Sequence, residues 1–77
     1  MTEQFKMFRD TKPFHPFRVH MADGRHLDVK SPEYLGQTPG GRTIFIATGE
    51  ESFEIIDLLL VTSLERLNGK RGSRRAG

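Results

Sequence analysis

The residues best equipped to do chemistry fall into a few groups. His20 and His26 flank Asp23-Gly24 and come level with each other if the two segments form a hairpin. Two adjacent imidazoles can share a divalent metal, but a structural zinc takes four ligands and no further ligand is suitably spaced, so a solvated histidine pair is expected. Glu50, Glu51, Glu54 and Asp57 could pair an acid with a base for hydrolysis. No nucleophile is organised beside them, and a solvated acidic loop is the simpler expectation. A larger group is cationic: Arg18, His20, His26 and Lys30 on one polar strand face, and Lys70, Arg71, Arg74 and Arg75 near the end of the sequence. These are the candidate nucleic-acid-binding residues, since each phosphate neutralised releases counterions. Among the aromatics, Phe14, Phe17, Tyr34, Phe45 and Phe53 could stack bases, although a small core claims most of them and leaves Phe14 or Tyr34 as the free platform. Gly40-Gly41-Arg42-Thr43 has the look of a phosphate-binding turn without the spacing or following helix of a P-loop, so a plain β-turn is expected. No motif organises catalysis or holds a cofactor, and the expectation is a protein that is not an enzyme.

Composition limits what can position these groups. The 77 residues are 35% hydrophobic and 29% charged, which describes one soluble domain with a small core. Folding at this size buries roughly 60% of the unfolded chain's surface, a margin that a second layer, a structural metal or oligomerisation usually supplements. With no cysteine in the chain, disulfides and thiolate metal sites are excluded. Met1 to Asp10 has no apolar run resembling a signal peptide, and no segment approaches the length of a membrane span; a cytoplasmic protein without membrane contact is the default expectation. The net charge of +2 hides a division: Arg66, Lys70, Arg71, Arg74 and Arg75 stand in an acid-free terminal stretch, so residues 1–65 carry an excess of acid. Electrostatic attraction to nucleic acid therefore rests chiefly on a short basic tail.

The elements follow from periodicity. Thr2 is expected to N-cap a helix of about two turns with Phe5, Phe8 and Met7 toward one face, ended by Pro13, which disfavours helical geometry at Lys12. Phe17, Val19 and Met21 then alternate with Arg18 and His20, and Leu27 and Val29 with His26, Asp28 and Lys30, the period of two of half-buried strands. A two-residue Asp23-Gly24 loop would set Val19 beside Asp28 and mix the faces. A three-residue loop Ala22-Asp23-Gly24, with glycine in the left-handed position, pairs Phe17 with Val29, Arg18 with Asp28, Val19 with Leu27 and His20 with His26.

Ser31 to Gly41 reads as a connector with one helical turn near Pro32 and with Tyr34 and Leu35 turned inward. Arg42 to Ala47 is a strand whose consecutive Ile44, Phe45 and Ile46 imply burial on both faces or an interface. A loop at Gly49-Glu50-Glu51 leads into a strand from Ser52 to Ile56. Ile56 to Leu67 fits either a helix or a strand; a short turn followed by a strand is favoured, because four preceding strands need a closing partner. Asn68 onward is expected to be a disordered basic tail, leaving 1–67 as a single domain. The fold class is mainly β with a short N-terminal helix: a small, strongly bent antiparallel sheet or an SH3/Sm-like barrel of about five strands.

Pro13 to Glu33, Gly40 to Thr43 and Phe53 to Glu65 together follow a pattern, PFxPFxVHxADGR with GGRT and IIDLLLVTxLE. In this the chain resembles a group of small uncharacterised bacterial proteins of planctomycete type, a resemblance that implies no functional residues. The helix, the Asp23-Gly24 turn and the isoleucine-rich Ile55 to Leu64 also resemble Sm/Hfq-like barrels, which implies an RNA-binding oligomer; the Leu27-Asp28-Val29 strand and the Lys30 to Leu35 segment depart from that family's glycine kink and base-binding loop. Two functions are expected from these features. One is a small nucleic-acid-binding module, with RNA as the partner. The other is a protein-interaction or regulatory subunit that docks a partner or another copy of itself through a strand edge and Leu58-Leu59-Leu60-Val61. The first expectation requires salt-sensitive RNA or DNA binding that truncation after Leu67 weakens; full-length protein with no measurable affinity at low salt would end it.

Overall fold

In the computed structural model, which describes residues 1–67, the alternating segments become a hairpin with the register that the three-residue loop requires. Strand β1 (Phe17–Met21) pairs antiparallel with β2 (His26–Val29), with Phe17 opposite Val29, Arg18 opposite Asp28, Val19 opposite Leu27 and His20 opposite His26. The turn closes through Met21 N–H to the Arg25 carbonyl at 2.8 Å and Gly24 N–H to the Met21 carbonyl at 3.0 Å. Gly24 sits at φ +94, the left-handed region where an L side chain is strained.

Helix α1 (Thr2–Asp10) lays Phe5 into the core and packs Phe8 against it, while Met7 faces solvent. Thr2 is not the cap: the helix takes it as its first residue, Met1 occupies the capping position, and no side chain caps it. The Thr2 methyl instead lies against the turn at Gly41, where a Cβ would stand 3.3 Å from it. The helix ends at Thr11 in extended geometry, ahead of a cis Lys12–Pro13 bond.

The connector contains more structure than its glycines and prolines suggest. A 3-10 turn at Pro32–Tyr34 leads into a three-residue strand, β3 (Leu35–Gln37), which the sequence pattern does not distinguish from loop. Leu35 packs on the core as expected, but Tyr34 is exposed, because the turn directs it outward. Strand β4 (Thr43–Ala47) pairs with β3 and with β5 (Phe53–Asp57). A second 3-10 turn, Leu58–Leu60, then admits β6 (Val61–Arg66), so the ambiguous segment is a turn and a strand. Asp57 caps that turn by accepting the Leu59 N–H at 2.9 Å.

Six strands thus form two three-stranded antiparallel sheets, ordered β2-β1-β6 and β3-β4-β5, with no closed barrel among the described residues. Their inner faces enclose one core: Phe17, Val19, Met21 and Val29 from the first, Ile44, Ile46 and Ile56 from the second. Phe17 is its hub, with the rings of Phe5, Phe8 and Phe14 centred 6.0, 5.1 and 5.9 Å away. The expected basic tail, residues 68–77 with Lys70, Arg71, Arg74 and Arg75, lies outside the described residues. No helix of the described residues is long and apolar enough to cross a membrane.

Gly24→Ala tests the hairpin. Nothing lies within 4 Å of an added Cβ, so the cost is backbone strain alone, about 1–2 kcal/mol lost in chemical denaturation without change of fold.

Candidate functional site

Period two gives each sheet an outer face, and the two outer faces have opposite chemistry. On the first sheet, Arg18 and His20 of β1, His26 and Asp28 of β2, and Ser63 and Glu65 of β6 come together by register. Arg18 makes a forked pair with Asp28, its Nε donating at 2.7 Å and its second nitrogen at 3.2 Å. This hydrogen bond, opposed by partial desolvation and aided by the positive charge, holds the Asp28 carboxyl below the usual carboxylate range. His20 Nε2 lies 2.9 Å from Glu65 Oε1. The ring centres of His20 and His26 are 6.1 Å apart, side by side as the register demands. His20 is thus turned to a carboxylate, and no group of three or more His, Asp or Glu residues among the described residues is arranged to hold a metal ion.

Of the cations expected to meet phosphate on this face, Arg18 is paired with Asp28 and His20 lies against Glu65, and the fixed charges of the face balance. Arg18 and Lys30 contribute two positive charges, and Asp28 and Glu65 return two negative ones. The other arginines of the sheets behave alike: Arg25 joins Asp23 at 3.1 Å to Glu54 at 3.2 Å, and Arg42 lies 3.3 Å from Asp57. Arg66 instead donates to the His15 ring at 3.1 Å. The acidic group is likewise taken apart: Glu54 and Asp57 stand an odd number of residues apart on β5, so they occupy opposite faces and bind different arginines.

One part of the polar face borders a cavity. An open cleft of about 490 Å³ lies between β2 and the β4–β5 loop, lined by His26, Asp28, Lys30, Tyr34, Thr48 and Glu50 among others. Two of the sequence candidates, His26 and Lys30, reach it, together with the aromatic Tyr34; Arg18 and His20 do not line it. Phe14, the other aromatic proposed as a free platform, is half-buried against Phe17.

The second sheet's outer face has almost no charge. Register places Gly36, Phe45 and Ile55 in one row and Ala47 beside Phe53 in the next. Phe53 and Ile55 are 62% and 64% exposed, values unusual for such residues within a strand, and Phe45 is 37% exposed. The Phe45 ring is partly sheltered because it lies over Gly36, where a Cβ would stand 3.1 Å from its edge. Beyond Asp57, Leu59 and Leu60 are exposed as well. The run Ile44, Phe45 and Ile46 thus divides: the isoleucines fill the core and the phenylalanine joins the open face.

This face is the main feature that the candidate residues miss. Its signal was present in the alternation of Phe53 and Ile55 with Glu54 and Ile56, where both parities are apolar at one end, but deciding which parity faces out requires knowing where the core lies. Comparison with family models, with curated proteins and with solved structures returns no match.

The Arg18–Asp28 pair generates a pH prediction. A carboxyl held below its unfolded value stabilises the fold above the ordinary carboxylate range, and the contribution disappears as pH falls through the folded-state value. Stability measured by urea titration is expected to drop between neutral pH and roughly pH 3, and Asp28→Asn is expected to reduce that drop. A variant with an unchanged pH profile would remove the pair from the stability balance.

Proposed function

We propose that this protein is a non-enzymatic protein-interaction module whose docking surface is the outer face of the β3-β4-β5 sheet. The observation that carries this reading is the exposure of Phe53 and Ile55 side by side with Phe45 on a sheet face with no covering layer among the described residues. Burying a side chain of this size is worth about 1.5–3 kcal/mol, so a partner covering the row gains several such terms at one contact. Scattered apolar residues carry no such meaning, but a contiguous patch on a small domain marks an interaction site.

The nucleic-acid reading draws its support from the cleft, where Tyr34 stands with Lys30 and His26, and from the basic composition of 68–77. Against it, the folded face that would meet phosphate carries as many carboxylates as fixed cations, so counterion release from residues 1–67 is small. Protein interaction is favoured because it uses the surface as it stands.

A photo-crosslinking side chain placed at Phe53 in the full chain, expressed in its native cells, is expected to give protein adducts that the same group at the exposed Glu33 does not. Adducts to nucleic acid alone, or none, would end the reading. Replacing both Phe53 and Ile55 by serine should leave thermal stability within about 0.5 kcal/mol per site, since neither is buried in the free protein.

A further inference from the structure

The margin of the second sheet narrows the choice of partner. Residues of β4 and β5 pair with numbers summing to 100, and the flanking bonds run from Thr48 N–H to the Ser52 carbonyl and from Leu58 N–H to the Arg42 carbonyl. Hydrogen-bonded pairs alternate along an antiparallel ladder, so Glu54 and Ile56 direct their backbone groups at β4. Phe53, Ile55 and Asp57 direct theirs away from it. The order β3-β4-β5 leaves β5 at the edge, where these N–H and C=O groups have no strand to bond among the described residues. Phe53 and Ile55 are also the most exposed apolar residues of the sheet. Free hydrogen-bonding capacity and free apolar surface coincide on the same residues.

The other three margins are guarded in the ways that keep strand edges from pairing. β3 is three residues long, and β2 is four residues long with Lys30 and Pro32 close behind it. β6 changes register against β1 between His20 and Met21 and ends on Glu65 and Arg66. β5 contains neither proline nor lysine, and its ladder against β4 is regular throughout.

We infer that a second copy of this chain occupies this margin, the two β5 strands pairing antiparallel about a two-fold axis at Ile55 and joining the two sheets into one of about six strands. The inference rests on the protein-interaction reading and names a partner for the edge of that surface, where Phe53 and Ile55 lie. A two-fold contact requires a self-complementary edge, and β5 supplies one. Ile55 meets the partner's Ile55, and Phe53 meets the partner's Asp57, so that all the free groups at 53, 55 and 57 find partners in about six hydrogen bonds. Arg42, held 3.3 Å from Asp57, is thereby brought beside the ring of the partner's Phe53, where a guanidinium is attracted to the aromatic face. Of the two neighbouring registers with the same bonding phase, the one centred on Glu54 sets two carboxylates opposite each other and the one centred on Ile56 sets Phe53 against Leu59 in the 3-10 turn, so each leaves backbone groups unpaired. An edge contact of this size is smaller than the roughly 800 Å² per partner of a stable complex, so the dimer is concentration-dependent.

The test uses purified full-length protein and two variants. Light scattering across a concentration series is expected to show the mass rising from one chain toward two, while Ile55→Lys stays at one chain with an unchanged circular-dichroism spectrum. The chain has no cysteine, so Ile55→Cys offers a second measurement: directly opposed residues in a bonded pair have Cα atoms about 5.5 Å apart, within disulfide reach. Under mild oxidation it is expected to form a disulfide-linked dimer at least tenfold faster than Glu33→Cys. Wild-type protein that remains a single chain at every concentration, or an Ile55→Cys rate equal to the control, overturns self-pairing. Protein adducts at Phe53 alongside a strictly single-chain purified protein would assign the surface to a different partner, whereas absence of any adduct removes the interaction reading itself.

Discussion

Phe17, through its buried ring, holds the helix and the first sheet together. It opens β1, pairs with Val29 on one side and Arg66 on the other, and receives the rings of Phe5, Phe8 and Phe14. Helix, first hairpin and last strand are thus fixed to one side chain. Because β-strand side chains alternate, seating Phe17 inward also sets Val19 and Met21 inward and Arg18 and His20 outward. The polar face follows from that one placement.

The second sheet obeys the same rule with a different outcome. Ile44, Ile46 and Ile56 meet the first sheet's core residues, and the opposite parity must face out. On β1 and β2 that parity is charged and its members satisfy one another, as with Arg18 and Asp28. On β4 and β5 it is Phe45, Phe53 and Ile55, which have nothing above them within the described residues. The described residues supply no third layer over this face. The asymmetry between a self-neutralised face and an uncovered apolar one is the physical basis for reading the protein as an interaction module.

Charge shows why a list of cations is a poor guide to a binding surface. Arg18, His20, His26 and Lys30 share a face in sequence and in space, yet Asp28 and Glu65 share it too, the latter from a strand more than forty residues away. Local sequence pairs Arg18 with Asp28; only the β1–β6 register adds Glu65 beside His20. Likewise Arg25 meets Glu54 and Arg42 meets Asp57 across the assembled sheets. Where cations and carboxylates are brought together by the fold, the field at the surface is set by the fold.

The first hairpin, its loop and its register are legible in the residues alone, because alternation on both arms and the need for a left-handed residue at Gly24 admit one solution. The sequence also points to the N-terminal helix and the strands around Ile44 and Ile55; the segment after Ile56 fits helix and strand alike until the β1–β6 ladder makes it a strand. Other features depend on contacts between distant segments. β3 has too few residues, with Gly36 at its centre, for any period to register, and it forms because β4 offers an edge and the Phe45 ring a floor. Tyr34 turns outward because its 3-10 turn, not its hydrophobicity, sets its direction. Which face of β5 meets solvent depended on where the core closed, since Phe53, Ile55 and Ile56 are all apolar and period two alone cannot choose between them.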